Sequence, residues 1–271
     1  MMYHHALRMA IIYAITNQKG GVGKTTTAVN VSAFLAAAGK RVLLLDMDPQ
    51  ANASSSLGIN RDKVEVSSYD VILGDASAAR AVLRNHKLNL SIIPAVSALA
   101  AAEIELVGQL NRERMLQNAL AGELPKYDYV IIDCPPSLGL LTINALTASS
   151  GVIIPVQCEY LALEGLTLLN RTVHLVRQRL NPALEIRGLI MTMYDSRTAL
   201  AQQVVAEVEK FFVGKVFATR VPRSVRLSEA PSYGQPIMTY APNSSGSVAY
   251  SNITKNIIEQ DSMKEAPTEN Q

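Results

Sequence analysis

Apolar residues in this chain fall into short blocks, and two kinds of block alternate. Residues 10–15, 41–45, 88–93, 129–132, 152–156 and 186–193 are nearly continuous apolar runs bounded by Pro, Gly or Asp. Runs of that length, apolar on both faces, predict strands buried between two layers. Residues 25–38, 99–120, 138–148, 162–179 and 200–212 carry their apolar positions at helical spacing instead. Gly39 stands where the first of these helices should stop. The alternation predicts the α/β class: a single doubly wound, mostly parallel twisted sheet, helices on both faces, right-handed crossovers. No internal repeat or long linker interrupts it. One domain is therefore expected over residues 9–260, after a short N-terminal extension (1–8) and before a polar, disordered tail (261–271).

Composition narrows the functional classes. With 48% apolar and 18% charged residues among 271, the chain can bury a substantial core. A net charge of +2 does not by itself mark a nucleic-acid binder. The charge is uneven, however: residues 170–230 hold ten Lys/Arg against five Asp/Glu, an excess of +5, which leaves −3 for the remainder. A one-sided basic surface is open. Two cysteines, Cys134 and Cys158, make neither a disulfide framework nor a zinc motif, and fit a reducing cytoplasm. The four histidines show no ligand spacing beyond the pair His4 and His5. No apolar run is long enough to span a membrane, and residues 1–8 do not read as a signal peptide. There is no Gly-x-Ser-x-Gly nucleophile motif.

The chemistry concentrates after the first predicted strand, in Asn17-Gln18-Lys19-Gly20-Gly21-Val22-Gly23-Lys24-Thr25-Thr26. A glycine-rich turn between strand and helix lets successive N–H groups converge on one anion at a helix N-terminus. Lys24 is expected to reach the β- and γ-phosphates, and the Thr25 hydroxyl to coordinate Mg²⁺. The loop departs from the ordinary P-loop: Gln18 stands where the first glycine belongs, and a second lysine, Lys19, follows it. Lys19 needs a negative partner, either its own nucleotide or one held by a second subunit. Two strand ends add carboxylates at the sheet edge where α/β proteins bind ligands. Asp133 closes one apolar run and can hold Mg²⁺, through water. Asp46 and Asp48 follow another and fall on the same side; one could position or deprotonate an attacking water. A lone strand-end Asp is commonly a turn or cap residue, so a purely structural Asp46 stays open.

Taken together these segments resemble the ParA/MinD family. Lys19-Gly-Gly-Val-Gly-Lys24-Thr-Thr is similar to its deviant Walker A motif, Asp46-Met-Asp48-Pro-Gln to its A′ segment, and Tyr129-Val-Ile-Ile-Asp133-Cys-Pro-Pro-Ser137 to its Walker B region. Pro155-Val-Gln-Cys-Glu-Tyr160, Thr192-Met-Tyr-Asp-Ser-Arg-Thr198 and the segment from Val221 to Pro231 resemble the chromosomal ParA (Soj) branch. The resemblance covers about residues 10–258 and implies an Mg²⁺-dependent ATPase that forms a sandwich homodimer on ATP. It implies phosphate contacts from Gly20, Gly21, Val22, Gly23, Lys24, Thr25 and Thr26, with Lys19 crossing to the partner's phosphates. Asp48 matches the water-positioning carboxylate. Asp133, with Thr25 and Asp46, makes the expected metal set, and Pro222 and Arg223 match the adenine side. Arg197 and Arg226 match residues that contact double-stranded DNA without sequence preference, and both lie in the +5 window. A ParB-type centromere-binding protein is the implied stimulator of slow hydrolysis, on nucleoid-associated ATPase in the cytoplasm. Ala51 departs from the family, which usually has glycine there. No room is left for the N-terminal helix-turn-helix domain of larger plasmid relatives, so operator binding is not expected.

Two alternatives are weaker. A MinD-like membrane cycle needs a basic amphipathic C-terminal helix. Residues 251–260 place Ile253, Ile257 and Ile258 on one face, but only Lys255 is basic, so no stable membrane anchor is expected. A relative of the nitrogenase iron protein would need both cysteines at a dimer axis, whereas buried cysteine is commonly a plain core residue.

Overall fold

The computed structural model describes residues 10–159 and 162–265. Seven strands form one sheet: β1 (Ile11–Ile15), β2 (Val42–Asp46), β3 (Leu83–Asn85), β4 (Leu90–Ile93), β5 (Tyr129–Asp133), β6 (Gly151–Gln157) and β7 (Glu185–Thr192). Their spatial order is β3-β4-β2-β5-β1-β6-β7. Every pairing is parallel except β3 with β4. The expected mostly parallel, doubly covered sheet is thus the observed one.

Strand periodicity divides the core into two layers. Ile12 and Ala14 of β1, Leu43 and Leu45 of β2, and Val130 and Ile132 of β5 enter one cluster, with helices Leu140–Ala148, Ala162–Arg179 and Ala199–Phe211. Tyr13 and Ile15, Val42 and Leu44, and Tyr129 and Ile131 enter the other, under helices Lys24–Ala37 and Ser245–Glu265. Each fully buried aliphatic side chain contributes roughly 1.5–3 kcal/mol.

Three regions differ from the pattern-based expectation. The apolar periodicity over 99–120 continues, but the backbone breaks it into Leu99–Glu105 and Met115–Leu120. Gly108 lies in the interruption, and Asn111 adopts φ 54°, a left-handed conformation that ends regular helix. Strand β3 was not expected, because three residues at a sheet edge carry too short an alternation. The C-terminal helix runs Ser245–Glu265, past the expected domain limit at residue 260. The reason is a buried contact: Asp261 accepts hydrogen bonds from Tyr13 Oη at 2.7 Å, Tyr129 Oη at 3.1 Å and Arg187 Nε at 3.2 Å. A charge pinned under three strands cannot belong to a disordered tail. The expected N-terminal extension, residues 1–8, and tail residues 266–271 lie outside the described residues.

Asp261→Ala should therefore leave Arg187 buried without its counter-charge and cost about 3 kcal/mol in urea denaturation. A loss below about 1 kcal/mol would mean that the end of this helix is not integral to the domain.

Candidate active site

The loop after β1 is built by local backbone demands. Gly21 and Gly23 adopt φ 74° and 89°, and Gly23 caps helix Lys24–Ala37 in the left-handed region. A side chain there would be strained, which is why the turn is glycine. The helix start has no side-chain cap and no acidic residue in its first turn, so its free N–H groups and positive dipole end face the loop. Asn17 braces the loop from β6: its amide donates to Pro155 O at 2.8 Å, and its carbonyl oxygen accepts from Lys19 N–H at 3.1 Å. On the other side Thr192 Oγ1 donates to Val22 O at 2.8 Å.

Sheet register sets the carboxylates. Asp133 pairs with Ile15 on one side and Asp46 on the other, so the P-loop, the A′ segment and the Walker B carboxylate emerge at one edge. Lys24 is buried and its ammonium donates to Lys19 O at 3.0 Å. Burial lowers its pKa below the usual lysine value, while Asp133 and Asp48 pull the other way. Asp133 is fully buried, and neither oxygen has a hydrogen-bond partner of ordinary geometry. Burial raises its pKa well above the usual range, and the charges of Asp46 and Asp48 add to this. The nearby Thr25 hydroxyl and Lys24 oppose it.

Asp46 and Asp48 separate in role. Asp46 Oδ2 accepts from Ser54 N–H at 2.8 Å and Ser54 Oγ at 2.7 Å, and Oδ1 accepts from Asp48 N–H at 3.2 Å. Burial pushes it up to about 6, against those Ser54 hydrogen bonds. Its oxygens are engaged by Ser54 and the Asp48 backbone, so the structural reading that the sequence left open is the one its geometry favours over a metal ligand. Asp48 takes one hydrogen bond, from Gln50 N–H at 2.9 Å, and its charge is felt at both Lys24 and Asp133.

These residues fit a magnesium–phosphate group. A buried carboxylate with no well-formed hydrogen bond of its own suits a divalent cation or its water, and Mg²⁺ characteristically takes few carboxylates together with phosphate oxygens.

Beside Gly23 and Thr26 opens a cavity of about 200 Å³, walled by Met193, Val221, Pro222, Arg223, Leu227 and Tyr250. Pro222 and Arg223 thus adjoin the P-loop. A larger cavity of about 580 Å³, between the β3–β4 edge and residues 233–239, contains none of the motif residues.

The basic window is partly spent internally. Arg187 is the buried partner of Asp261. Arg197 forks onto Asp195 at 2.9 and 2.7 Å, and Arg226 reaches Glu229 at 2.9 Å. Both arginines remain exposed, at 87% and 60% of their side chains. Their loops adjoin, because Tyr194 pairs with Pro222 and Arg223 N–H donates to Tyr194 O at 3.3 Å. Sequence reasoning assigned no role to Thr192, Glu159 or Tyr250. The first two stand in segments quoted for the resemblance, while Tyr250 comes from a helix with no motif.

The AAA domain family matches residues 9–186. The chain is 56% identical to the sporulation initiation inhibitor protein Soj of Bacillus subtilis, over 92% of this chain and 98% of that one. It is 50% identical to the chromosome partitioning protein ParA of Myxococcus xanthus, over 93% and 89%. The chain belongs to the ParA/Soj family of chromosome-partitioning ATPases. A solved structure of cobyrinic acid a,c-diamide synthase from Mycobacterium smegmatis, with bound ADP and magnesium, superposes with a TM-score of 0.84 at 38% identity, covering 95% of this chain and 97% of that one.

The other readings lose their support at named residues. Ile253 and Ile257 are buried in the core rather than presented to a bilayer. Both cysteines are buried, and burial pushes the Cys158 thiol up to about 11 and Cys134 higher still.

Ala51 adopts φ 53° and caps the short helix Asn52–Ser56. Ala51→Gly should relieve that strain and raise stability by up to about 1 kcal/mol in thermal or urea unfolding. An equal or lower stability would show that the turn does not strain alanine.

Proposed function

We propose that this ATPase is a nucleotide-timed DNA-segregation switch. The observation that carries the reading is the pair of lysines on one loop: Lys24 buried among Asp133 and Asp48, and Lys19 near the surface, where it meets the half-exposed carboxylate of Glu159. One lysine serves the phosphates of its own subunit and the other is free to serve a partner's. ATP thus joins two copies face to face, through Lys19.

Within each subunit, Gly20 to Thr26 would hold the phosphates, Thr25 and Asp133 the magnesium, and Pro222 and Arg223 the adenine side. Bound magnesium supplies charge neutralisation at the phosphates. Asp48 positions the attacking water, and Asp46 with Ser54 holds the Asp48 backbone in place. Slow hydrolysis lets the closed state act as a timer.

The dimer sits on double-stranded DNA through Arg197 and Arg226, by phosphate contacts that carry no sequence information. Both arginines exchange their intramolecular carboxylates for phosphate oxygens on binding. Doubling the patch in a dimer makes affinity depend on nucleotide. A ParB-type centromere-binding protein stimulates hydrolysis and releases the complex, and the working location is the nucleoid in the cytoplasm. The family relatives named for partitioning and sporulation support this reading.

Asp48→Ala should accumulate a stable dimer with ATP in light scattering; a monomer under the same conditions would remove Asp48 from the hydrolytic role. Arg226→Glu should keep the ATP dimer and lose at least tenfold in affinity for random duplex DNA by fluorescence anisotropy. Unchanged affinity would take Arg226 out of the DNA surface.

A further inference from the structure

Glu159 lies two residues beyond the end of β6, and its carboxylate is shared by two segments of the nucleotide site. Lys19 Nζ meets Oε2 at 3.2 Å, and Arg223 approaches Oε1 at 3.7 Å. The Gln157 side-chain amide also donates to Oε1, and Glu159 N–H donates to Gln157 O at 2.8 Å. The carboxylate is therefore held by its own strand end and aimed between the P-loop and the 221–224 segment. Both cations it touches are those that the phosphate and adenine sides of the site need. Lys24 is not among its partners: that ammonium is turned inward to Lys19 O.

We infer that Glu159 is a positioning residue, an internal counter-anion that keeps Lys19 on its own subunit, beside Arg223, until phosphate displaces it. The inference rests on the proposed role of Lys19 in joining two copies. Lys19 cannot both satisfy Glu159 and extend to a second subunit, so closure includes the exchange of a carboxylate for phosphate oxygens. The Lys19–Glu159 contact is 38% and 45% exposed, which makes it a weak, salt-sensitive latch rather than a lock. A weak latch suits a switch, since it raises the threshold for closure without preventing it. Two latches open per dimer, so their effects multiply.

The test compares wild type, Glu159→Gln, Glu159→Asp and Lys19→Ala by analytical ultracentrifugation, with a slowly hydrolysed ATP analogue and Mg²⁺, at low and at high salt. Glu159→Gln should dimerise at about three- to tenfold lower protein concentration than wild type at low salt, and the advantage should shrink toward unity at high salt. Glu159→Asp, which keeps the charge on a shorter stem, should fall between the two. Circular dichroism melting checks that all variants are folded. If Lys19→Ala fails to dimerise while Glu159→Gln dimerises at the same or a higher concentration than wild type, Glu159 is not a latch and supports the closed state instead. If Lys19→Ala dimerises normally, the proposed role of Lys19 fails and the latch fails with it. A gain in Glu159→Gln that does not respond to salt would also contradict an ionic latch.

Discussion

Charge buried at one edge of the sheet is the constraint on which the rest of this molecule depends. Lys24, Asp46, Asp48 and Asp133 are each less than a tenth exposed, and Asp133 has no partner of ordinary geometry for either oxygen. Burial of that kind is costly unless something compensates it. Asp46 is compensated within the fold by Ser54. Asp133 is opposed first by the Thr25 hydroxyl and then by Lys24, and Lys24 by Asp133 and Asp48, yet burial still shifts both toward their neutral forms. A group that brings both a cation and phosphate oxygens satisfies each of them at once.

The sheet exists, in functional terms, to hold these groups in register. Ile15, Asp133 and Asp46 are adjacent across three parallel strands, so loops distant in sequence leave the sheet together. Thr192 and Asn17 then tie the P-loop to β7 and β6. The second core layer couples this edge to the rest of the domain: Thr27, in the P-loop helix, hydrogen-bonds Tyr250 in the C-terminal helix at 3.0 Å. The same C-terminal helix ends in the Asp261–Arg187 pair. A movement of the P-loop helix therefore has a packed path to the far end of the sheet.

Most of the architecture was legible because buried parallel strands need continuous apolar runs, and residues 41–45 and 129–132 could be little else. The P-loop was legible because glycine, lysine and threonine at that spacing have few other uses. What escaped had weaker local signals. β3 is three residues long, and the break near Asn111 depends on one left-handed residue inside an otherwise helical pattern. The end of the C-terminal helix depends on a pairing 74 residues apart, between Arg187 and Asp261, and polar composition alone suggested a tail. The same pair corrects the charge count: a basic window read from sequence includes an arginine that never reaches solvent. Asp46 shows the limit at the site itself, since its alternation with Asp48 was visible but its commitment to Ser54 was not.

The +5 window thus becomes a smaller surface, in which Arg197 and Arg226 stay exposed yet are each paired with a neighbouring acid. The proposed DNA binding rests on two copies of that surface acting together. The most direct measurement is retention on random duplex DNA by the purified protein without nucleotide, with ADP, with ATP and with a slowly hydrolysed analogue, at two salt concentrations. Retention only with ATP or its analogue, falling steeply with salt, is the predicted result. Equal retention in all four states, or none in any, would contradict a DNA switch governed by the nucleotide.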